Sequence, residues 1–230
     1  MTHDSPKRAG REALLREVDL YLVTGEEFSA GRSTPAVVDA ALEAGVRMIQ
    51  LREKRMTKRE LTKLGEMCRA KTAAAGCLLI VNDHLDVALA IDADGVHLGH
   101  SDLPVEAARR IAPDFILGAS SHHVDQAVEA ERMGASYVNI GPIFPTKTKS
   151  SKVALGPRAV ADVVAGVSIP VTCMGGIKLD NVDEVLIAGA RIVSVVTAVT
   201  AATDIRTAVR ELRDKILAAR ENAGQTGRSR

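Results

Sequence analysis

The stretch that ends in Lys54 carries the first side chains with the chemistry of an anion site. Gln50, Arg52 and Lys54 alternate with Ile49 and Leu51, and alternate residues of a strand share one face. The pattern therefore predicts a strand that buries its apolar face and presents an amide, a guanidinium and an ammonium group on the other. Groups of these types bind phosphates and carboxylates. We expect an anion at this face, and a polar strand end in contact with water is the alternative.

These side chains need elements that position them, and the rest of the chain predicts a regular series. Apolar runs alternate with segments in which apolar residues recur at helical spacing. The runs cover residues 19–24, 46–51, 77–82, 95–98, 115–119, 137–140, 169–173 and 192–196. Eight repeats of strand and helix imply parallel pairing by right-handed crossovers. The sequence predicts a single (β/α)8 TIM barrel of the α/β class. An open doubly wound sheet is the alternative, but no G-x-G-x-x-G follows the first run.

The predicted barrel occupies most of the chain as one domain. It extends over residues 18–220 and is preceded by residues 1–17, which read as an N-terminal tail and a short helix. Residues 221–230 carry no apolar periodicity, so we expect a disordered C-terminal tail. No linker or shift in composition divides the barrel.

Composition narrows the class of protein. The 230 residues are 46% hydrophobic without a tryptophan, which indicates a core of aliphatic residues, as in buried parallel strands. The net charge of +1 argues against a nucleic-acid partner. Cys68, Cys77 and Cys173 are odd in number and lack metal-type spacing, which predicts reduced core residues. The polar start and the lack of an apolar run of about 20 residues predict no membrane contact and a cytoplasmic protein.

The residues that follow each run are the ones expected at the active site, because a barrel of this type places its site at the carboxyl ends of the strands. Asp83 follows the third run and Asp102 lies just beyond the fourth. Together the two carboxylates can hold Mg²⁺, which commonly takes one or two protein carboxylates and completes its shell with water and phosphate oxygens. Helix caps or solvated turn residues are the alternative for both.

A phosphate subsite is predicted at the last two strands. Gly175 and Gly176 follow the seventh run, and Val196 and Thr197 follow the eighth, where bare backbone N–H groups often bind phosphate in such barrels. A tight turn is the alternative for the glycine pair. The long polar loop over residues 142–155 is predicted to act as a lid.

The histidines give a weaker signal. His122 stands beside Ser120 after the fifth run and is the one candidate for proton transfer, whereas His97 lies within a run and is interpreted as structural or incidental. No Ser-His-Asp order or H-E-x-x-H motif supports a hydrolase.

The motifs together resemble the thiamine phosphate synthase family. The matching segments are Q-L-R-E-K at 50–54, V-N-D at 81–83, G-V-H-L-G at 95–99 with Asp102, G-A-S at 118–120, G-P-I-F-P-T-K-T-K at 141–149 and G-G-I at 175–177. They run in order along the predicted strands, and the resemblance covers about residues 19–215. It implies a (β/α)8 barrel and a transferase that joins hydroxymethylpyrimidine diphosphate to a thiazole phosphate, or to its carboxylated form. The reaction releases pyrophosphate and uses Mg²⁺.

The resemblance also implies a role for each matching residue. The pyrimidine diphosphate contacts are Gln50, Arg52, Lys54, Asn82, Ser120 and Lys149, of which Arg52, Lys54, Ser120 and Lys149 are the catalytic set. The Mg²⁺ ligands are Asp83 and Asp102. The thiazole phosphate contacts are Thr146, Lys147, Thr148, Gly176, Val196 and Thr197.

Two other functions stay open at this point. A thiazole tautomerase on the same barrel would keep the thiazole phosphate site and use His122, but it would not need the full diphosphate set. A non-enzymatic binder of thiamine phosphate is the second alternative. The expected partners are small-molecule substrates, and an assembly of identical copies is compatible with the sequence.

Overall fold

Eight short strands form the centre of the protein, where the apolar runs predict them. In a computed structural model, which describes residues 5–146 and 153–227 (backbone only from 223), each strand pairs in parallel with the next. The eighth strand pairs with the first, so the sheet closes into a barrel. The strands are β1 (Leu20–Val23), β2 (Met48–Leu51), β3 (Leu78–Asn82), β4 (Gly95–Leu98), β5 (Ile116–Ser121), β6 (Tyr137–Ile140), β7 (Val171–Cys173) and β8 (Ile192–Val195). The predicted (β/α)8 fold is confirmed, and the open sheet is excluded.

Helices surround the barrel. They are α1 (Pro6–Arg16), α2 (Thr34–Glu43), α3 (Lys58–Ala74), α4 (Leu85–Ala90), α5 (Val105–Ile111), α6 (Val124–Arg132), α7 (Arg158–Gly166), α8 (Val182–Ile187), α9 (Thr197–Thr200) and α10 (Ile205–Gly227). Residues 221–227, for which the sequence predicts a disordered tail, continue α10. The correction has a local cause, because this stretch contains no proline and begins with good helix formers.

Two apolar layers hold these elements together. Side chains that point out of the barrel, such as Leu22, Ile49 and Val193, pack under the helices. Side chains that point inward fill the end of the barrel where the strands begin: Leu15, Val18, Tyr21, Met48, Leu78, Ile80, Ile116, Tyr137 and Ile192. Because this end is filled by apolar groups, polar side chains gather at the other end, where the strands finish.

Helix α1 closes the filled end of the barrel. Leu15 is only 1% exposed and packs with Val18 in the inner layer, whereas its neighbour Leu14 is half exposed. Arg11 is buried and donates to the carboxylate of Asp94 at 3.3 Å and to the Ala93 carbonyl at 3.0 Å. A paired and hydrogen-bonded charge is the form in which an arginine tolerates burial. The first helix is therefore part of the folded unit.

The three cysteines are buried in the apolar layer between strands and helices. Burial raises the pKa of each thiol to about 12, so all three stay protonated and unreactive at neutral pH. This confirms their interpretation as core residues. In the part of the chain that the structure describes, no helix is long and apolar enough to cross a membrane.

Candidate active site at the carboxyl ends of the strands

A cavity of about 300 Å³ opens at the carboxyl ends of the strands. Its walls contain every predicted site residue that lies within the described ranges: Gln50, Arg52, Lys54, Asn82, Asp83, Asp102, Ser120, Thr146, Gly176, Val196 and Thr197. Lys147, Thr148 and Lys149 lie outside the described residues, as does much of the predicted lid. Positions more than a hundred residues apart in sequence therefore share one cavity.

Gln50, Arg52 and Lys54 line this cavity at different depths. Strand β2 ends at Leu51, so the expectation of one shared strand face needs correction. Gln50 is 3% exposed and points into the barrel, whereas Arg52 and Lys54 lie in the following loop, and the Lys54 side chain is 50% exposed. The amide therefore belongs to the floor of the cavity and the two cations to its rim.

Glu53 holds the loop that carries these cations. Its Oε1 accepts hydrogen bonds from the hydroxyls of Thr24 at 2.9 Å and Thr34 at 2.6 Å. Its Oε2 accepts from the N–H of Glu26 at 2.9 Å, and the Arg52 N–H donates to Thr24 Oγ1 at 3.0 Å. The carboxylate thus ties the end of β2 to the loops after β1. The motif alone gives no sign of this role, since the partners lie 19 to 29 residues away.

Asp83 and Asp102 form a coupled pair of carboxyl groups beside Lys54. Asp83 accepts from Lys54 Nζ at 3.0 Å, and Asp102 accepts from the Gly99 N–H at 2.7 Å. Burial opposes ionisation of Asp83, but hydrogen bonds from Lys54 and Asp102 outweigh it and hold its pKa below the ordinary value. Burial raises the pKa of Asp102, and the neighbouring Asp83 carboxylate adds to that rise. Asp83 therefore ionises first, and Asp102 keeps its proton to a higher pH than an ordinary aspartic acid does.

The backbone at Asp83 is strained. Its φ of 64° lies in the left-handed region that favours glycine, and its N–H donates to the His97 carbonyl at 2.8 Å. Strain of this kind costs roughly 1–3 kcal/mol and persists where the surroundings enforce it. Here the backbone bond to β4 brings the carboxyl group of Asp83 toward Asp102.

This donor set fits Mg²⁺. The Asp83 carboxylate disfavours ionisation of Asp102, a repulsion that a bound cation would lower, and Mg²⁺ is commonly held by one or two carboxylates. Among the described residues no group of three or more His, Cys, Asp or Glu is arranged to hold a metal. The site thus lacks the four-ligand set of a structural zinc site.

A chain of hydrogen bonds crosses the floor of the cavity. Gln50 Nε2 donates to the Tyr21 hydroxyl at 2.6 Å, which lies 2.9 Å from the Tyr137 hydroxyl. That hydroxyl lies 3.0 Å from His97 Nδ1, and His97 Nε2 lies 3.0 Å from Ser120 Oγ. The two ends of the chain, Gln50 and Ser120, are both predicted pyrimidine contacts.

Gln50 anchors one end of this chain. Because its Nε2 can only donate, the Tyr21 hydroxyl accepts from it. Burial raises the pKa of Tyr21 and of Tyr137, so both hydroxyls keep their protons. The two ring nitrogens of His97 join the Tyr137 hydroxyl to the Ser120 hydroxyl, so the chain links Gln50 to Ser120 across the floor.

Gly118 makes room for this chain. A Cβ atom at Gly118 would lie 2.1 Å from Tyr137 Cζ and 2.6 Å from His97 Nδ1. These two rings stack with their centroids 5.6 Å apart. A side chain at position 118 is therefore incompatible with the observed rings, which explains the glycine at this point of β5.

The loops after β6 and β7 form the other side of the cavity. Ile143 N–H donates to the Met174 carbonyl and Phe144 N–H to the Gly175 carbonyl, each at 2.9 Å. Gly175 and Gly176 have φ values of 98° and 68°, and a Cβ at Gly176 would lie 2.6 Å from the Pro145 carbonyl oxygen. The pair thus brings bare backbone against the neighbouring loop, as a phosphate subsite requires.

Several cavity residues were not identified from sequence. Tyr21, Asn139 and Ser194 line the cavity but lie inside apolar runs, where the pattern predicts core. His97 was interpreted as structural or incidental, and its ring lines the cavity and joins the hydrogen-bond chain of the floor. His122, the one histidine singled out, lines the cavity, and its ring centroid lies 5.0 Å from that of His100. The polar member of an otherwise apolar run was the signal available for the missed residues.

Comparisons with a family profile and with individual relatives indicate the same family. The sequence profile described as "Thiamine monophosphate synthase" matches residues 20–199. The chain is 44% identical over 208 residues to the thiamine-phosphate synthase of Shouchella clausii, covering 90% of this chain and 98% of the relative. It is 46% identical over 210 residues to that of Natronomonas pharaonis, covering 88% and 97%.

The fold agrees with this match. A solved structure described as thiamine phosphate pyrophosphorylase from Pyrococcus furiosus superimposes with a TM-score of 0.82 at 39% identity, covering 88% of this chain and 97% of the other. A 3-hexulose-6-phosphate synthase superimposes with a TM-score of 0.63 at 18% identity. The second likeness concerns the barrel alone.

Proposed function

This chain belongs to the thiamine-phosphate synthase family and is a transferase of that activity, and from this premise we propose how its own residues bind the substrates and promote the reaction. One observation carries the proposal. All predicted contacts within the described residues line a single cavity, with an uncharged floor and a cationic rim. A substrate with a neutral ring at one end and a diphosphate at the other matches this arrangement.

The pyrimidine ring lies on the floor and its diphosphate at the rim. Gln50 and Ser120 face the ring, and the Ser120 hydroxyl, which lies 3.0 Å from His97 Nε2, contacts it. Asn82, Arg52 and Lys54 face the diphosphate. Lys149 is assigned to the same group on the resemblance of its motif.

The rim cations promote departure of pyrophosphate. The bond between the methylene carbon and the diphosphate oxygen breaks, and its electron pair leaves with pyrophosphate. The electron-rich aminopyrimidine stabilises the cation that remains, so the protein needs no nucleophile of its own. Arg52 and Lys54 stabilise the growing negative charge, and each such preorganised contact contributes roughly 2–4 kcal/mol.

The thiazole phosphate binds on the opposite wall. The backbone of Gly176 and Val196 and the hydroxyl of Thr197, with Thr146, Lys147 and Thr148 from the loop after β6, hold its phosphate. Binding there places the thiazole nitrogen near the methylene carbon, to which it forms the new C–N bond. Proximity of this kind replaces an encounter in solution.

Asp83 and Asp102 hold Mg²⁺ in this proposal. The ion, when bound, neutralises charge on the leaving diphosphate. Lys54 already pairs with Asp83, so the cationic rim and the metal ligands lie next to each other and face the same diphosphate.

The tautomerase and binder alternatives receive no support. Gln50, Arg52, Lys54, Asn82, Asp83 and Asp102 are all retained in one cavity, and an isomerase of the thiazole alone does not need a diphosphate site. The relatives named above are called synthases over nearly their whole length.

Kinetics with two varied substrates test the assignment of the two walls. Lys54→Ala should reduce kcat/KM for the pyrimidine diphosphate about a hundredfold with a KM for thiazole phosphate close to wild type. Thr197→Ala should do the reverse, with a rise in the thiazole phosphate KM of about threefold to tenfold. Arg55→Ala is the control, because Arg55 carries the same charge on the same loop but is exposed and pairs with Glu27. Equal effects of Lys54→Ala and Arg55→Ala would contradict the assignment.

A further inference from the structure

Ser194 has a buried hydroxyl without a partner. It lies on β8 and is 1% exposed. Within the described residues, its Oγ is the buried side-chain nitrogen or oxygen that lacks a hydrogen-bond partner. The residue lines the active-site cavity and lies opposite Tyr21 in the pairing of β8 with β1. An unpaired buried hydroxyl lowers stability, so its presence at a cavity wall indicates a group that accepts or donates there when a ligand binds.

Asn139 is a second polar residue of the same wall. It lines the cavity on β6, opposite Ser120 of β5 and Thr172 of β7. The Thr172 hydroxyl, which is fully buried, donates to Asn139 Oδ1 at 2.7 Å. This bond fixes the orientation of the amide, because the oxygen is held by Thr172 and the nitrogen, which can only donate, is directed away from it.

We propose that Asn139 and Ser194 form a polar floor subsite that contacts the ring of the aminopyrimidine substrate, with Thr172 as the residue that positions Asn139. This inference rests on the proposed function and adds residues to its pyrimidine site. In the subsite, Asn139 Nδ2 donates to a ring nitrogen, and the Ser194 hydroxyl bonds a second polar atom of the ring.

The chemistry of the two substrates selects the pyrimidine. An aminopyrimidine has two ring nitrogens and an exocyclic amine, so a desolvated ring needs several hydrogen-bond partners at once. Gln50 and Ser120 supply part of them, and they approach from β2 and β5. A thiazole has one ring nitrogen, and that atom must stay available to form the new bond. Asn139 and Ser194, which line the cavity on β6 and β8, supply the contacts from the other side.

Kinetics and thermal unfolding of three variants test the subsite. Ser194→Ala and Asn139→Ala should each raise the KM for pyrimidine diphosphate about threefold to tenfold, as expected for one lost hydrogen bond. The KM for thiazole phosphate should stay within about twofold of wild type. Ser194→Ala should leave the Tm of the ligand-free protein unchanged or higher, because the deleted hydroxyl has no partner among the described residues.

Thr172 is tested through Asn139. Thr172→Val should raise the KM for pyrimidine diphosphate as much as Asn139→Ala does. The double variant Thr172→Val with Asn139→Ala should have the same KM as Asn139→Ala alone. Thr172→Ser, which keeps the hydroxyl, should have the wild-type KM. Ser136→Ala is the matched control, since Ser136 is buried at the opposite end of β6 and bonds Arg109 and the Leu117 N–H. It should lower the Tm and leave both KM values unchanged.

A wild-type KM for pyrimidine diphosphate in both Ser194→Ala and Asn139→Ala would overturn the subsite. The Ser194 hydroxyl and the Asn139 amide would then bind water only. Absence of product from the wild-type protein would overturn the proposed function instead. In that event the rise in Tm that pyrimidine diphosphate causes still tests the subsite: a smaller rise in Ser194→Ala supports it, and an equal rise overturns it.

Discussion

Tyr137→Phe removes the central link of the hydrogen-bond chain on the cavity floor and leaves the ring in place. The Tyr137 hydroxyl lies 2.9 Å from the Tyr21 hydroxyl and 3.0 Å from His97 Nδ1, in a residue that is fully buried. The substitution therefore leaves one donor and one acceptor without partners. Packing changes little, because phenylalanine preserves the stack on His97 and the edge contact with Tyr21.

The magnitude follows from those two groups. A buried group that loses its partner costs about 1–3 kcal/mol, so the pair should lower the free energy of unfolding by about 3 kcal/mol. For a chain of this length each kcal/mol corresponds to roughly 2–4 °C, which predicts a Tm about 6–12 °C below wild type. The pyrimidine KM should rise about tenfold, because His97 no longer fixes the Ser120 hydroxyl.

Thermal unfolding of the ligand-free protein and kinetics with each substrate varied in turn measure both effects. Tyr137→Leu, which removes the ring as well, shows how much comes from packing. A Tyr137→Phe protein with wild-type Tm and wild-type KM for pyrimidine diphosphate would refute the hydrogen-bond chain and the role assigned to Gln50 and Ser120 at its two ends.

The other predictions concern the rim, the metal ligands and the glycine of β5. Arg52→Ala should lower kcat about a hundredfold or more, measured as thiamine phosphate formed per second, and turnover equal to wild type would remove Arg52 from charge stabilisation. Asp102→Asn should raise the Mg²⁺ concentration needed for half-maximal rate. At a pH above the raised pKa of Asp102, it should also raise the Tm of the metal-free protein. The reason is that the raised pKa makes ionisation of this second carboxyl group destabilise the folded state. An unaltered Mg²⁺ titration contradicts the assignment. In the wild type, the apparent affinity for Mg²⁺ should fall as the pH falls through the raised pKa of Asp102, because a proton then competes with the ion, and an affinity that does not change with pH would count against this competition. Gly118→Ala should give poorly folded or inactive protein, since its Cβ would overlap Tyr137, and a variant of wild-type Tm and rate would show that the two rings can move apart.

The sequence was sufficient to predict the barrel, because each strand is a separate apolar run and the segments between the runs carry apolar residues at helical spacing. The bounds of β4 (Gly95–Leu98) and β6 (Tyr137–Ile140) agree with the predicted runs. A charged or small residue stands on each side of these runs and ends the apolar pattern. The end of α10 could not be predicted in this way, because backbone hydrogen bonds continue a helix after its apolar face has ended.

The site was predictable where its residues follow a strand and was missed where they lie inside one. Arg52, Asp83 and Gly176 stand just after apolar runs, and the barrel places all such positions at one end. Asn139 and Ser194 alternate with core residues in the same strands. Only the registers of neighbouring strands show that these two residues line the cavity. Glu53 was missed for a related reason, since its partners come from the loops after another strand.

The most direct test of this account is a mass-spectrometric assay of the purified protein with pyrimidine diphosphate, thiazole phosphate and Mg²⁺, with and without a chelator. The account predicts thiamine phosphate and pyrophosphate in equal amounts, formed only when both substrates are present and abolished by the chelator. Product that persists in excess chelator would contradict the metal role of Asp83 and Asp102. No thiamine phosphate from folded protein would contradict the assignment of the cavity to both substrates.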